Sequence, residues 1–129
     1  MVFLIERRER RFKFAMFGIK RVYEKPVEGD GIRVLIDRLW PRGLKKEEAK
    51  IDQWMKEIAP SGNLRKWFSH KEKRWQEFKS RYMKELKDKN ELLKQLIDLG
   101  KKGKVTLLYA AKDEARNNGQ VLLEILEKK

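Results

Sequence analysis

A cluster of charged residues that directly follows an apolar segment is the strongest sign of chemistry in this sequence. Residues 34–36 are Val, Leu and Ile, and they are followed at once by Asp37 and Arg38, with Arg42 and Gly43 close behind. The guanidinium fork of arginine matches a carboxylate or phosphate with two parallel hydrogen bonds. Glycine lets backbone amides come close to a ligand, and the start of a following helix favours negative charge. The segment therefore predicts an anion site, with Asp37 available for acid–base catalysis.

A structural role is the alternative interpretation of the same segment. Asp37 would then pair with an arginine and hold the loop, because a partly buried charge needs a partner. Trp40 either packs in the core or lines a ligand pocket, and its size favours the core.

A second polar pair, Lys112 and Asp113, follows the apolar segment that ends at Ala110 and Ala111. Lys112 could bind an anion or act as a general acid, and Asp113 could act as a base or a metal ligand. The alternative is that Asp113 caps the next helix, since aspartate is a favoured N-cap residue.

His70 and Ser61 are the remaining candidates. His70 is the only histidine and could shuttle protons, but a surface position is the favoured interpretation. A lone histidine cannot hold zinc, and the aspartates are too scattered to indicate Mg²⁺, so no metal site is predicted. Ser61 could contact a ligand through its hydroxyl. Glycine-rich nucleotide fingerprints are missing from the sequence, which leaves the cofactor unknown.

Apolar periodicity indicates the elements that must position these residues. Strand-like segments alternate with helical ones, which predicts a single layered α/β domain with a small, mostly parallel sheet of three to four strands flanked by about five helices. Ile51, Trp54, Met55 and Ile58 have helical spacing, and Ser69 with Glu72 resembles a capping box at the start of a helix. The predicted strands span residues 17–23, 32–37 and 105–109, and further helices are predicted within 61–70, from 90 onward and over 117–127.

The topology decides whether the polar groups meet. Ligands of parallel sheets bind beyond the carboxyl ends of the strands. If the strands that end near 37 and 109 are neighbours, Asp37, Arg38, Lys112 and Asp113 should converge on one crevice.

Composition and charge limit the class of protein. The 129 residues contain no cysteine, which excludes disulfides and cysteine-bound zinc, and no apolar segment is long enough to span a bilayer. A cytoplasmic protein is therefore expected. Charged residues make up 41% of the chain, as in proteins from hot environments, and the net charge is +13. Such an excess favours anionic partners, nucleic acid included, but lysine-rich helix faces are the favoured explanation.

The first fifteen residues differ from the rest. Residues 1–15 carry five basic and two acidic side chains and form a basic N-terminal extension. Either this extension is a genuine arm, or the natural start is Met16; residues 16–129 form the single α/β domain in both cases.

Several segments together resemble the domain of unknown function 488 family, in its YeaO-like branch. The similarity runs from Ile19 to Leu126, and the segments that carry it are Lys20–Tyr23, Asp37–Gly43, Ile51–Asp52, Glu57–Ser61, Leu64–Phe68, His70 and Val105–Asp113. The resemblance implies a small cytoplasmic α/β domain with a polar cluster and no established activity. Members of this branch usually begin just before the first strand, which implies Met16 as the start. The family tends to place a histidine where this chain has Arg116, which puts catalysis in doubt or moves proton transfer to His70.

Two hypotheses follow. The first is a small enzyme acting on a phosphate-bearing or nucleotide-like anion, which Arg38, Arg42 and Lys112 would bind. The second is a nucleic-acid-binding module that uses the basic surface. Neither oligomeric state nor reaction is indicated.

Overall fold

A four-stranded sheet with helices packed on it makes up the part of the chain that the computed structural model describes, residues 17–128. The strands are β1 (Phe17–Arg21), β2 (Ile32–Leu35), β3 (Gln53–Trp54) and β4 (Val105–Tyr109). The helices are α1 (Lys46–Ala49), α2 (Gly62–Phe68), α3 (Trp75–Lys87), α4 (Asn90–Lys102) and α5 (Asn118–Lys128). Three short 3-10 turns cover Glu28–Asp30, Lys56–Ile58 and Glu72–Arg74. The predicted α/β class is confirmed.

All strand pairs within the described residues are parallel, in the order β1-β4-β2-β3. Leu35 of β2 pairs with Leu108 of β4, so the strands that end near residues 37 and 109 are neighbours, which is the condition for their polar residues to meet. Parallel strands place their carboxyl ends at one edge of the sheet, which we call the carboxyl edge. Residues 22–23, 36–38, 55–56 and 110–113 leave the strands at that edge.

The two faces of the sheet are covered differently. Val34 and Leu107 are fully buried in the larger core, which helices α2 to α5 complete on one face. Their neighbours Leu35 and Leu108 point to the opposite face because successive side chains of a strand alternate. There they pack with Trp40 and other residues of the loops between strands.

A buried ion-pair network stabilises the face of the sheet that the loops cover, which we call the loop side. The Asp30 carboxylate contacts Lys20 Nζ at 3.1 Å and Arg33 Nη1 at 2.6 Å. Burial alone would raise the pKa of Asp30, but hydrogen bonds from the Val27 amide and from both cations bring it below its usual value. A buried charge with this many partners is a strong geometric constraint on the loops.

The predicted helix over Ile51, Trp54, Met55 and Ile58 is wrong. Lys50 adopts a left-handed conformation that ends α1, and the Met55 amide donates to the Leu35 carbonyl at 2.9 Å, as a strand residue does. The apolar residues are divided between the faces: Met55 and Ile58 belong to the larger core, whereas Ile51 and Trp54 pack on the opposite face. Their spacing matched a helix only by coincidence.

The helix start predicted at Ser69 is also wrong. Ser69 is the C-cap of α2 with φ of 45°, and α3 begins only at Trp75, after a 3-10 turn. The serine that caps a helix is Ser61, whose side chain accepts from the Leu64 amide.

The prediction of a basic extension over 1–15 and of a start at Met16 falls on residues outside the described range. Between 17 and 128, every helix is too short or too polar to cross a membrane.

Candidate functional site

Asp37 lies at the centre of the carboxyl edge and joins three elements. Its Oδ2 accepts a hydrogen bond from the Ala110 amide at 2.9 Å, and its Oδ1 accepts one from Asn118 Nδ2 at 3.1 Å. Its backbone carbonyl accepts from Trp54 Nε1 at 2.7 Å. Asp37 thus connects the end of β2 to the end of β4 and to the first residue of α5.

The charge of Asp37 is influenced by two nearby basic residues. Burial raises the pKa of Asp37 above its usual value, while the hydrogen bonds from Ala110 and Asn118 and the positive charges of Arg65 and His70 act in the opposite direction. Burial also raises the pKa of Tyr82 well above its usual value, and the negative charge of Asp37 adds to this. Burial outweighs these contacts, so the pKa of Asp37 stays above its usual value.

Arg38 uses some of its guanidinium N–H donors in hydrogen bonds to the loop before α2. Its Nε donates to the Pro60 carbonyl and its Nη2 to the Ala59 carbonyl, both at 3.3 Å, and Nη1 lies 4.0 Å from Glu57. The side chain remains 30% exposed. Since a guanidinium has five N–H donors, Arg38 retains donors for a further acceptor.

The loop that follows presents Arg42 and Gly43 to solvent. Arg42 is exposed, and its carbonyl accepts from the Tyr23 hydroxyl at 2.8 Å. Gly43 has φ of 77°, a left-handed conformation that favours glycine. Trp40 donates from Nε1 to the Leu44 carbonyl at 2.7 Å and packs in the core of the loop side, which agrees with the interpretation of Trp40 as a core residue.

Lys112 and Asp113 share the edge with Asp37 but differ in their contacts. Lys112 is exposed. The Asp113 carboxylate accepts from the amides of Ala115 and Arg116 and, at 2.9 Å, from Arg116 Nε. Partial desolvation would raise the pKa of Asp113, but these bonds lower it below the usual value. Asp113 closes a turn and does not cap α5, which begins five residues later.

The capping role at α5 belongs to Asn117. Its Oδ1 accepts from the Gln120 amide at 3.0 Å. Arg116 also contacts Glu72 at 2.5 Å and so connects the turn after β4 with the segment before α3. Arg116, at the position where the family resemblance implied a histidine, therefore has two carboxylate partners.

His70 and Ser61 occupy different environments near α2. His70 is exposed, has φ of 55°, and directly follows the left-handed Ser69. Two consecutive non-glycine residues in this region are unusual, and such conformations cluster at functional sites. The Ser61 hydroxyl donates to Glu85 Oε2 at 2.7 Å and accepts from the Leu64 amide at 3.2 Å, so both its hydrogen-bonding functions are engaged within the protein.

Sequence reasoning missed Arg65, Asn118 and Tyr23 as members of this edge. Arg65 and Tyr23 belong to segments that carry the family resemblance, and this was the one signal that could have identified them. Asn118 reaches Asp37 across 81 positions of sequence, which no local pattern reveals. Among residues 17–128, no group of three acidic or histidine side chains is placed to hold a metal ion.

Several known proteins are similar to this chain in sequence over most of its length. The chain is 44% identical over 107 residues to the uncharacterised protein YeaO of Escherichia coli K12, which covers 83% of this chain and 93% of that protein. Uncharacterised proteins of Mycobacterium bovis and Mycobacterium tuberculosis are each 41% identical over 108 residues, or 84% of this chain and 91% of theirs. No solved structure matches the chain. The family model described as the inactive DUF488-N3 subclade matches residues 16–129, and the chain belongs to this family.

Proposed function

We propose that the protein binds a small phosphate-bearing anion at the carboxyl edge of its sheet. The observation that carries this proposal is the arrangement of Arg65 and His70 around Asp37. The helix that carries Arg65, α2, begins just after the Ala59 and Pro60 carbonyls that Arg38 contacts. The positive charges of Arg65 and His70 oppose the rise that burial causes in the pKa of Asp37. Neither forms an ion pair with a carboxylate within residues 17–128. The oxygens of Asp37 are engaged by Ala110 and Asn118 instead.

This arrangement favours an anion because the two basic groups keep donors that Asp37 does not use. Both side chains are exposed, so a ligand can reach them from solvent. Arg38 keeps donors next to Asp37, and Arg42 and Lys112 contribute exposed positive charge at the same edge. Clustered charges of one sign attract an oppositely charged ligand and raise its rate of encounter.

Binding without turnover is the form of this function that we favour. A general acid or base needs a group that can exchange its proton with the substrate. Both oxygens of Asp37 already accept hydrogen bonds, and Asp113 is tied to Arg116. The family description as inactive supports the same choice. An enzyme acting on the same anion would have to use His70, or Asp37 after it loses one partner.

The test is a calorimetric titration of the protein with inorganic phosphate, comparing Arg65→Ala with Lys101→Ala. Lys101 is an exposed residue of α4 beside Gly100, which packs against Phe17 at the opposite edge of the sheet. We expect Arg65→Ala to weaken binding by roughly tenfold or more, as expected for loss of a charge-assisted hydrogen bond of about 1.5–3 kcal/mol. Lys101→Ala should leave binding unchanged. Failure of the unmodified protein to bind phosphate, or equal effects of both substitutions, would contradict the proposal.

Nucleic-acid binding is the second candidate, and the net charge of +13 supports it. It predicts binding to duplex DNA whose affinity falls with salt, with a log–log slope of about −0.9 for each neutralised phosphate. Three of the thirteen net charges lie in residues 1–15, so a variant that begins at Met16 shows whether the domain itself binds. A slope near zero for that variant would remove this candidate for the domain.

A further inference from the structure

The ring of Tyr23 is an exposed aromatic surface at the carboxyl edge. Tyr23 is 42% exposed and lies two residues beyond the end of β1. On the assumption that the proposed function holds, we propose that Tyr23 stacks on a planar ring of the same ligand. The anion would then be a nucleotide, in which a base accompanies the phosphate.

The Tyr23 ring is held in place before any ligand arrives. Its hydroxyl donates to the Arg42 carbonyl at 2.8 Å, and the Arg21 guanidinium lies over the ring, 5.1 Å from the centroid. Arg21 is itself fixed by donating to the carbonyls of Ala110 and Ala111, at 3.1 and 2.9 Å. A ring that is already ordered loses little conformational entropy when a ligand stacks on it.

The Arg21 guanidinium covers one face of the Tyr23 ring, and the side chain remains exposed enough for a ligand to reach it. The tight turn in which the Glu24 amide donates to the Arg21 carbonyl at 3.0 Å keeps Tyr23 projecting from the sheet. Leu39, on the loop that begins at Asp37, is 58% exposed. The loop between Asp37 and Arg42 therefore also carries exposed apolar surface.

The distance across the sheet suits a nucleotide. Tyr23 and Asp37 each lie two residues past the ends of β1 and β2, and these strands flank β4. Neighbouring strands are about 4.8 Å apart, which separates the two positions by roughly 10 Å along the edge. The base and phosphate of a nucleoside monophosphate span a comparable length, so the phosphate can lie beside Arg38, which directly follows Asp37, while the base reaches Tyr23.

A structural role for Tyr23 is the competing explanation, since its hydroxyl also secures the Arg42 loop. Two substitutions separate the roles. Tyr23→Phe removes the hydroxyl and keeps the ring, whereas Tyr23→Leu removes the ring and keeps an apolar side chain. A stacking role predicts that only the leucine variant loses the preference for a base.

The experiment compares adenosine 5′-monophosphate, ribose 5-phosphate and inorganic phosphate by calorimetric titration of the full chain and both variants. Base–aromatic stacking predicts that adenosine monophosphate binds the unmodified protein roughly 5- to 150-fold more tightly than ribose 5-phosphate. Tyr23→Leu should abolish this preference, so that adenosine monophosphate and ribose 5-phosphate bind equally, and Tyr23→Phe should retain it.

Each other outcome has a definite meaning. Equal binding of both sugar phosphates to the unmodified protein, or a preference that survives in Tyr23→Leu, would overturn the stacking proposal and leave anion binding intact. Equal loss of preference in the phenylalanine and leucine variants would assign Tyr23 to holding the loop and also overturn it. No binding of any of the three ligands would overturn the proposed function itself.

Discussion

Replacement of Asp37 tests directly what its carboxylate does, because asparagine and alanine remove different parts of the group. Asp37→Asn keeps one oxygen acceptor and removes the charge. Asp37→Ala removes both acceptors. The Ala110 amide, which donates to Asp37 Oδ2 at 2.9 Å in the unmodified protein, then has no partner there. Asn118 is less affected because its Nδ2 also donates to the Ile36 carbonyl at 3.1 Å.

The expected magnitudes follow from these bonds. An amide left without a partner in a partly buried place costs about 1–3 kcal/mol, and the weakened Asn118 contact adds about 1 kcal/mol. We therefore expect Asp37→Ala to lower the free energy of unfolding by about 2–4 kcal/mol. The asparagine variant keeps the bond to Ala110, loses the one to Asn118, and no longer buries a charge. Its free energy of unfolding at neutral pH should lie within about 1 kcal/mol of the unmodified protein.

The pH dependence separates charge from hydrogen bonding. Because burial raises the pKa of Asp37 above 3.8, the folded protein holds the proton at pH values where the unfolded chain has released it. The contribution of Asp37 to stability therefore decreases as the pH rises from 3.8 through the raised pKa. Asp37→Asn lacks this decrease, so its stability relative to the unmodified protein should improve between about pH 4 and about pH 7.

Urea unfolding at both pH values provides the measurement, with Asp98→Asn as the control. Asp98 is an exposed residue of α4, and its replacement should change stability equally and slightly at both pH values. The reasoning would be refuted if Asp37→Asn became less stable relative to the unmodified protein as the pH rises, since the carboxylate charge would then be stabilising. Equal losses in the asparagine and alanine variants would show that the Ala110 bond is unimportant.

Two further substitutions test the elements that position the site. Ser61→Ala removes the N-cap of α2 and the bond to Glu85, and it should lower the unfolding free energy by about 1–2 kcal/mol in urea titration; an unchanged midpoint would contradict the capping role. Gly31→Ala should cost more than about 3 kcal/mol, because φ is 65° and a Cβ would lie 2.3 Å from the Lys104 carbonyl oxygen. A thermal midpoint close to that of the unmodified protein would show that the turn adjusts.

The neighbouring strands β2 and β4 were predictable because their signals are local. Each is a short segment of buried apolar residues, and each is followed by polar groups at the position where a parallel sheet exposes its ends. Helical segments between them made parallel pairing the expected arrangement. The register of Leu35 with Leu108 then placed both polar segments at one edge, as expected.

Periodicity was misleading where a segment contributes to both faces of the sheet. The spacing of Ile51, Trp54, Met55 and Ile58 indicates that these residues are buried, which is correct, but not which surface covers them. A helix would direct all four toward one core. The strand pairing of β3 with β2 instead divides them between two cores. The pairing depends on hydrogen bonds to a segment about twenty residues earlier, which local spacing does not contain.

The charged residues at the strand ends show why the site itself was only partly predictable. Asp37, Arg38 and Asp113 were selected because they follow strands, yet each is held by backbone groups or by Arg116. This is a consequence of their position. A polar side chain beside the end of a parallel strand lies near free backbone amides and carbonyls, and Asp37 and Arg38 both bond such groups. Arg65 lies instead on α2, whose preceding loop Arg38 contacts, and it forms no ion pair with a carboxylate within residues 17–128, so the proposed function assigns its donors to the ligand. Residues suited to binding at this edge are therefore expected on the elements that overhang the strand ends, as well as on the strands that form them.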